Sequence, residues 1–314
     1  MVNSEFYEIV DGGDVTISIP NTSLFSLGTS PYYAHQHGLA IDVYQQLSLD
    51  NYQVFSPVSG RVIKTKVMIA PKPKFKGGIN KEYLTLISNS RNSEIIYKIL
   101  HIKPIFREGE RIEKGDIIGT TIRNGYFAYW SSPHLHLEIR DHNDAIRARG
   151  GKNFSLFFDE LNPFTKHSKE DYLKQIPLKI QSVFPEFLLG YLPENFYYKI
   201  NPIYGVKIKI NSFDGILDGG IPQYKNGIVI CPQKFHSNFF KSIYLNSHKI
   251  GTLSKFRGNL GFFEFDDTRF LLNNERVRGI SLYLSKSLPV LKIIPYDIST
   301  FSLKSKSIQY LSIN

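Results

Sequence analysis

The chain has 314 residues, which is long enough for two domains that each bury their own core. Its formal charge of +10 would favour anionic partners, but it contains no dense basic block interleaved with aromatic residues, so we predict no nucleic-acid interface. The single cysteine excludes an internal disulfide, and no apolar stretch reaches membrane-spanning length. Numerous Tyr, Phe, Ile and Val residues favour strands, so the predicted fold class is mostly β.

The N-terminal segment is acidic, whereas a secretory signal needs a basic start followed by an apolar run. We therefore expect a protein that is cytoplasmic by default or leaves the cell by a non-classical route.

The first predicted domain spans residues 1–150 and is a compact β domain. Short runs of alternating apolar and polar residues separated by Gly, Pro and Ser predict its strands, at 15–19, 54–69, 83–87 and 95–102. The last of these runs carries His101 at its end.

Within that domain, residues 32–44 have the character of one strand-like segment that carries His35, His37 and Asp42. A histidine and a carboxylate this close in sequence can both reach one metal ion. The segment is therefore a candidate source of metal ligands.

A second candidate segment lies at residues 131–140, where His134, His136 and Glu138 alternate with apolar residues. Alternate side chains of a strand share a face, so these three polar side chains are predicted to point away from the core. With nine histidines in the chain, such a pair arises by chance roughly 0.2 times, so the pair alone is a weak motif. Glu138 either orients a metal ligand or is a solvated strand-end residue, and the sequence favours the solvated interpretation.

Beyond the first domain, residues 151–183 are predicted to form a linker with one short helix. The helix begins near Ser168, which is followed by acidic residues, and it ends before Pro177. Residues 184–314 are predicted to form a second β domain, a sandwich or small barrel of unknown role, without a catalytic constellation.

Taken in order, the first half contains His-Gly followed by Asp, Ser-Pro-Val-Ser-Gly-Arg-Val, a strand ending at His101, Glu-Lys-Gly-Asp-Ile-Ile-Gly, and Pro-His-Leu-His-Leu-Glu. This order resembles the lysostaphin-type zinc metallopeptidases over about residues 30–142. That family has a compact all-β fold and cleaves peptide bonds of peptidoglycan. The resemblance implies one zinc ion per chain, held by His37, Asp42 and His136, with His134 and His101 as catalytic histidines that do not bind the metal.

Three protein ligands leave one tetrahedral position for water, as in catalytic zinc sites. Zinc lowers the pKa of that water towards about 7 and polarises the scissile carbonyl. We expect His134 to act as general base and His101 to stabilise the transition state. The predicted function is a zinc metalloendopeptidase (a hydrolase) acting on peptidoglycan cross-links or a similar peptide, and the alternative is a non-catalytic binding or regulatory module on the same scaffold.

The first ligand motif departs from the family pattern, which places one residue between His and Gly and four positions between His and Asp. Here Gly38 follows His37 at once, and Asp42 lies five positions after His37. An odd spacing puts two strand side chains on opposite faces unless a bulge at Gly38 intervenes. His35 has the same parity problem at a longer distance, so His37 is the predicted ligand and His35 the alternative.

Overall fold

The computed structural model describes residues 5–158, 173–211, 213–232, 241–301 and 305–314. Regular structure is almost entirely β-strand, which confirms the mostly β prediction. The chain divides into two compact units, one of Met1–Phe25 with Tyr32–Phe157 and one of Ser26–Pro31 with Phe158–Asn314. The helix predicted to begin near Ser168 lies outside the described residues.

The elements of the first part of the chain are twelve strands, one helix and one 3-10 turn within residues 5–158. In chain order they are β1 Phe6–Gly12, β2 Val15–Pro20, β3 Leu24–Ser26, α1 Tyr33–Gln36, β4 Ala40–Tyr44, β5 Gln53–Phe55, β6 Gly60–Ile69, β7 Lys81–Asn89, β8 Ile95–Leu100, β9 Ile102–Pro104, β10 Arg111–Ile112, β11 Ile117–Thr121, β12 Leu135–Asp141 and a 3-10 turn at His142–Asp144.

Strand β12 is an inner strand of the main sheet of the first unit. It lies antiparallel between β4 and β8, and the sheet continues through β7 and β6 to β10. A smaller sheet places β11 between β5 and β9, and β1 pairs with β2. Leu135, Leu137 and Ile139 of β12 are all buried, as the alternating pattern predicts for the core face of this strand.

The segment before β4 differs from the single strand that the sequence predicts. It begins with the one-turn helix α1, which ends at a turn where Gly38 has a φ of 60°. The Gly38 N–H donates to the His35 carbonyl (3.0 Å) and the Leu39 N–H to the Ala34 carbonyl (2.7 Å), the paired bonds of a Schellman motif. Because glycine adopts positive φ without a side-chain penalty, Gly38 lets the chain reverse into β4.

The second unit carries fourteen strands and two 3-10 turns within its described ranges. They are β13 Ile176–Val183, β14 Leu188–Tyr191, a 3-10 turn at Glu194–Phe196, β15 Tyr197–Ile200, β16 Ile203–Ile210, β17 Phe213–Ile221, β18 Asn226–Ile230, β19 Ser242–Leu245, β20 His248–Arg257, β21 Leu260–Phe265, β22 Phe270–Leu272, β23 Glu275–Leu282, β24 Leu284–Ser285, β25 Leu291–Pro295, a 3-10 turn at Ile298–Thr300 and β26 Ile308–Ile313.

Two closed rings of hydrogen-bonded strands organise the described part of this unit. One ring runs β13, β14, β25, β23, β22, β26 and back to β13. The other runs β16, β17, β18, β21, β20, β19 and back to β16. The end of β17 also pairs with β23 and so joins the two rings. Closure of a sheet on itself removes exposed strand edges, which accounts for the many short strands.

Strand β13 lies within residues 151–183, the range that the sequence predicts as linker. The sequence predicts a linker up to residue 183, whereas β13 begins at Ile176 and pairs with two strands. The physical reason is that Ile176, Leu178 and Ile180 alternate along β13 and are all buried, so their apolar side chains stabilise a strand at this position. Among the elements described here, no helix has the length and apolar character needed to cross a membrane.

Candidate metal centre

Three buried side chains converge in the first unit: His35 from α1, Asp42 from β4 and His136 from β12. The His35 Nε2 atom lies 3.2 Å from Asp42 Oδ1 and 3.1 Å from His136 Nδ1. The His136 Nδ1 atom lies 2.9 Å from the same Asp42 oxygen. Two imidazole nitrogens and one carboxylate oxygen therefore form a compact triangle of potential ligand atoms.

The strand register explains two corners of this triangle. Asp42 and His136 are directly opposite each other on the antiparallel strands β4 and β12. Side chains of such a cross-strand pair lie about 5 Å apart at their Cβ atoms, so both can reach one point. The third corner depends on α1, because the helical turn and the reversal at Gly38 return His35 to the start of β4.

The structure places His35, and not the predicted His37, next to Asp42 and His136. The His37 Nδ1 atom donates to the Tyr33 carbonyl at 2.9 Å, and its ring stacks on the Tyr33 ring with centroids 4.1 Å apart. The physical reason is the helical turn: residues four apart on a helix share a face, so His37 lies above Tyr33. The choice of His37 assumed an extended strand from His35 to Asp42, whereas this segment begins with a helical turn.

The second nitrogen of His136 contacts a buried carboxylate. His136 Nε2 lies 3.1 Å from Glu138 Oε1, which also accepts a hydrogen bond of 2.9 Å from Lys98 Nζ. Arg140 donates to the other Glu138 oxygen at 2.7 Å. Glu138 is only 3% exposed, so the interpretation as a solvated strand-end residue is wrong. A carboxylate on the far nitrogen of a histidine fixes the ring for metal binding through the near one.

The charges around Asp42 and His136 favour their ionised forms. Burial alone would raise the pKa of Asp42, but the charges of His134 and His35 and hydrogen bonds from His136 and His35 hold it well below its usual range. Burial would lower the pKa of His136, yet hydrogen bonds with Asp42 and Glu138 raise it to about 9. The pKa of Glu138 falls to about 2 because the contacts with His136 and Lys98 outweigh its burial.

His134 lies at the side of the cluster and contacts Asp42 through a different oxygen. Its Nε2 is 3.4 Å from Asp42 Oδ2, while its Nδ1 donates to the Ser132 carbonyl at 2.8 Å. The rings of Tyr44 and Phe127 pack against it with centroids 4.8 Å and 4.9 Å away. Burial in this apolar surrounding lowers the pKa of His134 to about 4, against the opposing attraction of Asp42.

His101 faces the same centre from the junction of β8 and β9. Its ring centroid is 5.3 Å from that of His134 and 5.7 Å from that of His136. The predicted strand through residue 102 is interrupted here, because His101 has a φ of 69° and belongs to neither strand. Phe127 packs on the His101 ring with centroids 4.7 Å apart.

Glu82 on β7 contacts His101 and is a residue that the sequence interpretation missed. Its Oε2 atom lies 2.6 Å from His101 Nδ1, and it is 2% exposed. Burial alone would raise the pKa of Glu82, but the His101 charge and hydrogen bonds from His101 and Asn124 lower it to about 2. The sequence does contain an indication of Glu82, because this residue shares a strand face with Leu84 and Leu86. Both leucines are buried, and a carboxylate is unexpected on such a face.

All four predicted residues other than His37 thus lie together: Asp42 and His136 in the triangle, with His134 and His101 beside it. The three ligand-atom separations are 2.9, 3.1 and 3.2 Å. Bonds of about 2.0 to 2.1 Å to a tetrahedral zinc give ligand separations of about 3.3 Å. The donor set and its spacing therefore fit a zinc ion.

Comparison with known proteins gives a family model and a structural neighbour. A family model described as "Domain of unknown function (DUF8155) N-terminal domain" matches residues 16–156. No curated protein matches the chain. The NMR solution structure of lysostaphin is similar at 16% sequence identity with a TM-score of 0.26, over 78% of this chain and 95% of lysostaphin.

Proposed function

We propose that the protein is a zinc-dependent endopeptidase that hydrolyses peptide bonds of peptidoglycan cross-links or of a similar peptide. The observation that carries the proposal is the triangle of His35, Asp42 and His136, with two further histidines beside it. Catalytic zinc sites combine three protein ligands with nearby acid and base groups.

The ligand triangle also has the outer support that such centres need. Glu138 contacts His136 Nε2 and is itself held by Lys98 and Arg140. Removing outer contacts of this kind typically weakens metal binding about 10-fold to 100-fold. Glu138, Lys98 and Arg140 form a buried ionic group next to Nε2 of His136. This group supports a metal-binding role for His136.

Zinc held by these residues would lower the pKa of a water molecule and polarise a peptide carbonyl. His134 is suited to accept a proton, because its Nδ1–H donates to the Ser132 carbonyl and the neutral ring keeps its lone pair on Nε2. His101 would stabilise negative charge on the reacting carbonyl oxygen or protonate the leaving amine, and the 5.7 Å between its ring centroid and that of His136 supports this role.

The proposal is tested by measuring the release of new amino groups from purified peptidoglycan and from soluble glycine-rich and alanine-rich peptides. Protein stripped with a chelator should be inactive, and one equivalent of Zn²⁺ should restore hydrolysis while Mg²⁺ should not, because Mg²⁺ prefers oxygen ligands in octahedral geometry. His136→Ala should lose both zinc and hydrolysis. A zinc-loaded parent that binds peptidoglycan without releasing amino groups would instead establish the non-catalytic binding module.

A further inference from the structure

Glu82 accepts four hydrogen bonds in the interior of the first unit. Its Oε1 atom accepts the backbone N–H groups of Tyr83 and His101, each at 2.8 Å. Its Oε2 atom accepts from Asn124 Nδ2 at 2.8 Å and from His101 Nδ1 at 2.6 Å. Both oxygens are therefore used as acceptors, and His101 supplies two of the four donors.

These contacts hold His101 in a conformation that is uncommon for residues other than glycine. At a φ of 69° the backbone of His101 lies in the left-handed region. Glu82 binds its N–H, and the Ile122 N–H donates to its carbonyl at 2.9 Å, so the peptide groups on both sides are fixed. Residues held in sparsely populated backbone conformations cluster at functional sites.

The contact with Oε2 also selects the form of the ring. An ionised carboxylate has no hydrogen to donate, so the shared hydrogen belongs to His101 Nδ1. The neutral ring then carries its lone pair on Nε2. When Nε2 also takes up a proton, the negative charge of Glu82 stabilises the resulting cation.

We propose that Glu82 is a positioning residue for the hydrolytic reaction: it aims His101 and holds its proton on Nδ1, so that Nε2 is the atom that exchanges a proton with the substrate. This inference rests on the proposed function, because it assigns a role to His101 in that reaction. Glu82 itself touches neither the ligand triangle nor the substrate position.

The substitution Glu82→Gln separates this role from a structural one. Glutamine keeps the size of the side chain but replaces one acceptor oxygen by an NH2 donor. If that NH2 group takes the place of Oε2, it donates a hydrogen bond to His101 Nδ1. The Nδ1 atom must then be the acceptor, so the ring hydrogen moves to Nε2. The other amide orientation leaves the backbone N–H groups of Tyr83 and His101 facing a donor.

The direct measurement is the tautomer of His101, read from the ¹⁵N chemical shifts of ring-labelled protein at a pH where the ring is neutral. The parent should carry hydrogen on Nδ1, and Glu82→Gln should carry it on Nε2. A parent with hydrogen on Nε2 overturns the proposal without any variant.

The kinetic measurement compares Glu82→Gln in the parent and in a His101→Ala background. In the parent, kcat should fall about 10²-fold to 10³-fold with KM and zinc content nearly unchanged, whereas in the His101→Ala background the same substitution should have little further effect. Glu82→Asp, which keeps the carboxylate, should retain more activity than Glu82→Gln. Equal losses in both backgrounds would show a structural role and overturn the proposal.

A matched control is Asp218→Asn, which neutralises another fully buried carboxylate that accepts backbone N–H groups, those of Leu27 and Gly28. It lies in the second unit and should leave kcat unchanged. If the zinc-loaded parent shows no hydrolysis, the proposed function fails by itself, and the His101 tautomer in the parent still decides whether Glu82 holds the ring hydrogen on Nδ1.

Discussion

Three histidines of the candidate centre differ in what their second ring nitrogen contacts. His136 has Glu138 on its far nitrogen, His101 has Glu82, and His134 has the carbonyl of Ser132. A carboxylate stabilises a ring that carries positive charge or binds a metal, whereas a carbonyl only fixes its orientation. Under the proposed function His136 is a ligand, His101 a proton donor and His134 a proton acceptor, and these partners support that assignment.

This division predicts that His134→Ala and His101→Ala bind zinc like the parent but lose hydrolysis, each by about 10²-fold to 10⁴-fold. Neither ring is a corner of the ligand triangle, although His134 approaches Asp42 at 3.4 Å. Metal analysis of the purified variants and initial rates on one peptide check the prediction. A His134→Ala protein that purifies without zinc would assign His134 to the metal instead.

At the scale of elements, the site depends on the short helix α1 and the turn at Gly38 that follows it. Both bring His35 over the start of β4, within 3.2 Å of Asp42. An L-residue in the left-handed conformation costs roughly 1 to 2 kcal/mol, so any side chain at Gly38 strains this turn.

Gly38→Ala should therefore lower the free energy of unfolding by about 1 to 2 kcal/mol and also weaken zinc binding at least about tenfold, because His35 moves. Gly13→Ala is the matched control, since Gly13 has a φ of 61° with open space around its Cα, in the turn between β1 and β2. It should lose similar stability and keep its zinc affinity. Denaturant unfolding and zinc titration of both variants check this, and equal zinc affinities would show that the turn does not set the position of His35.

Some elements of the site can be predicted from the sequence, and others cannot. Alternation along β12 predicted a shared face for His136 and Glu138, whose side chains lie 3.1 Å apart, because a strand repeats every two residues over a length that shows the pattern. Helix α1 has four residues and no side-chain cap from Tyr32, so neither periodicity nor capping marks it. That is why the sequence favoured His37 over His35. The pairing of Glu82 with His101 depends on strand register, which no local pattern contains.

At the scale of the whole molecule, the catalytic proposal concerns the first unit alone. The family model covers residues 16–156, and the ligand triangle, His134, His101 and Glu82 all lie within that range. The second unit includes Ser26–Pro31, whose Leu27 and Gly28 N–H groups donate to Asp218 Oδ2 at 2.7 Å and 3.1 Å. Local sequence patterns do not predict a contact between residues about 190 positions apart. A domain boundary near residue 150, predicted from such patterns, therefore assigns Ser26–Pro31 to the first domain.

The central claim is that His35, Asp42 and His136 hold one zinc ion, and zinc titration of chelator-stripped parent, His35→Ala and His37→Ala tests it most directly. The two variants are matched, because each removes one imidazole from the same segment. We predict that the parent and His37→Ala bind one Zn²⁺ with similar affinity and that His35→Ala binds it at least about 100-fold more weakly, because a first ligand is missing. Loss of zinc in His37→Ala with retention in His35→Ala, or equal affinity in all three proteins, would contradict the account.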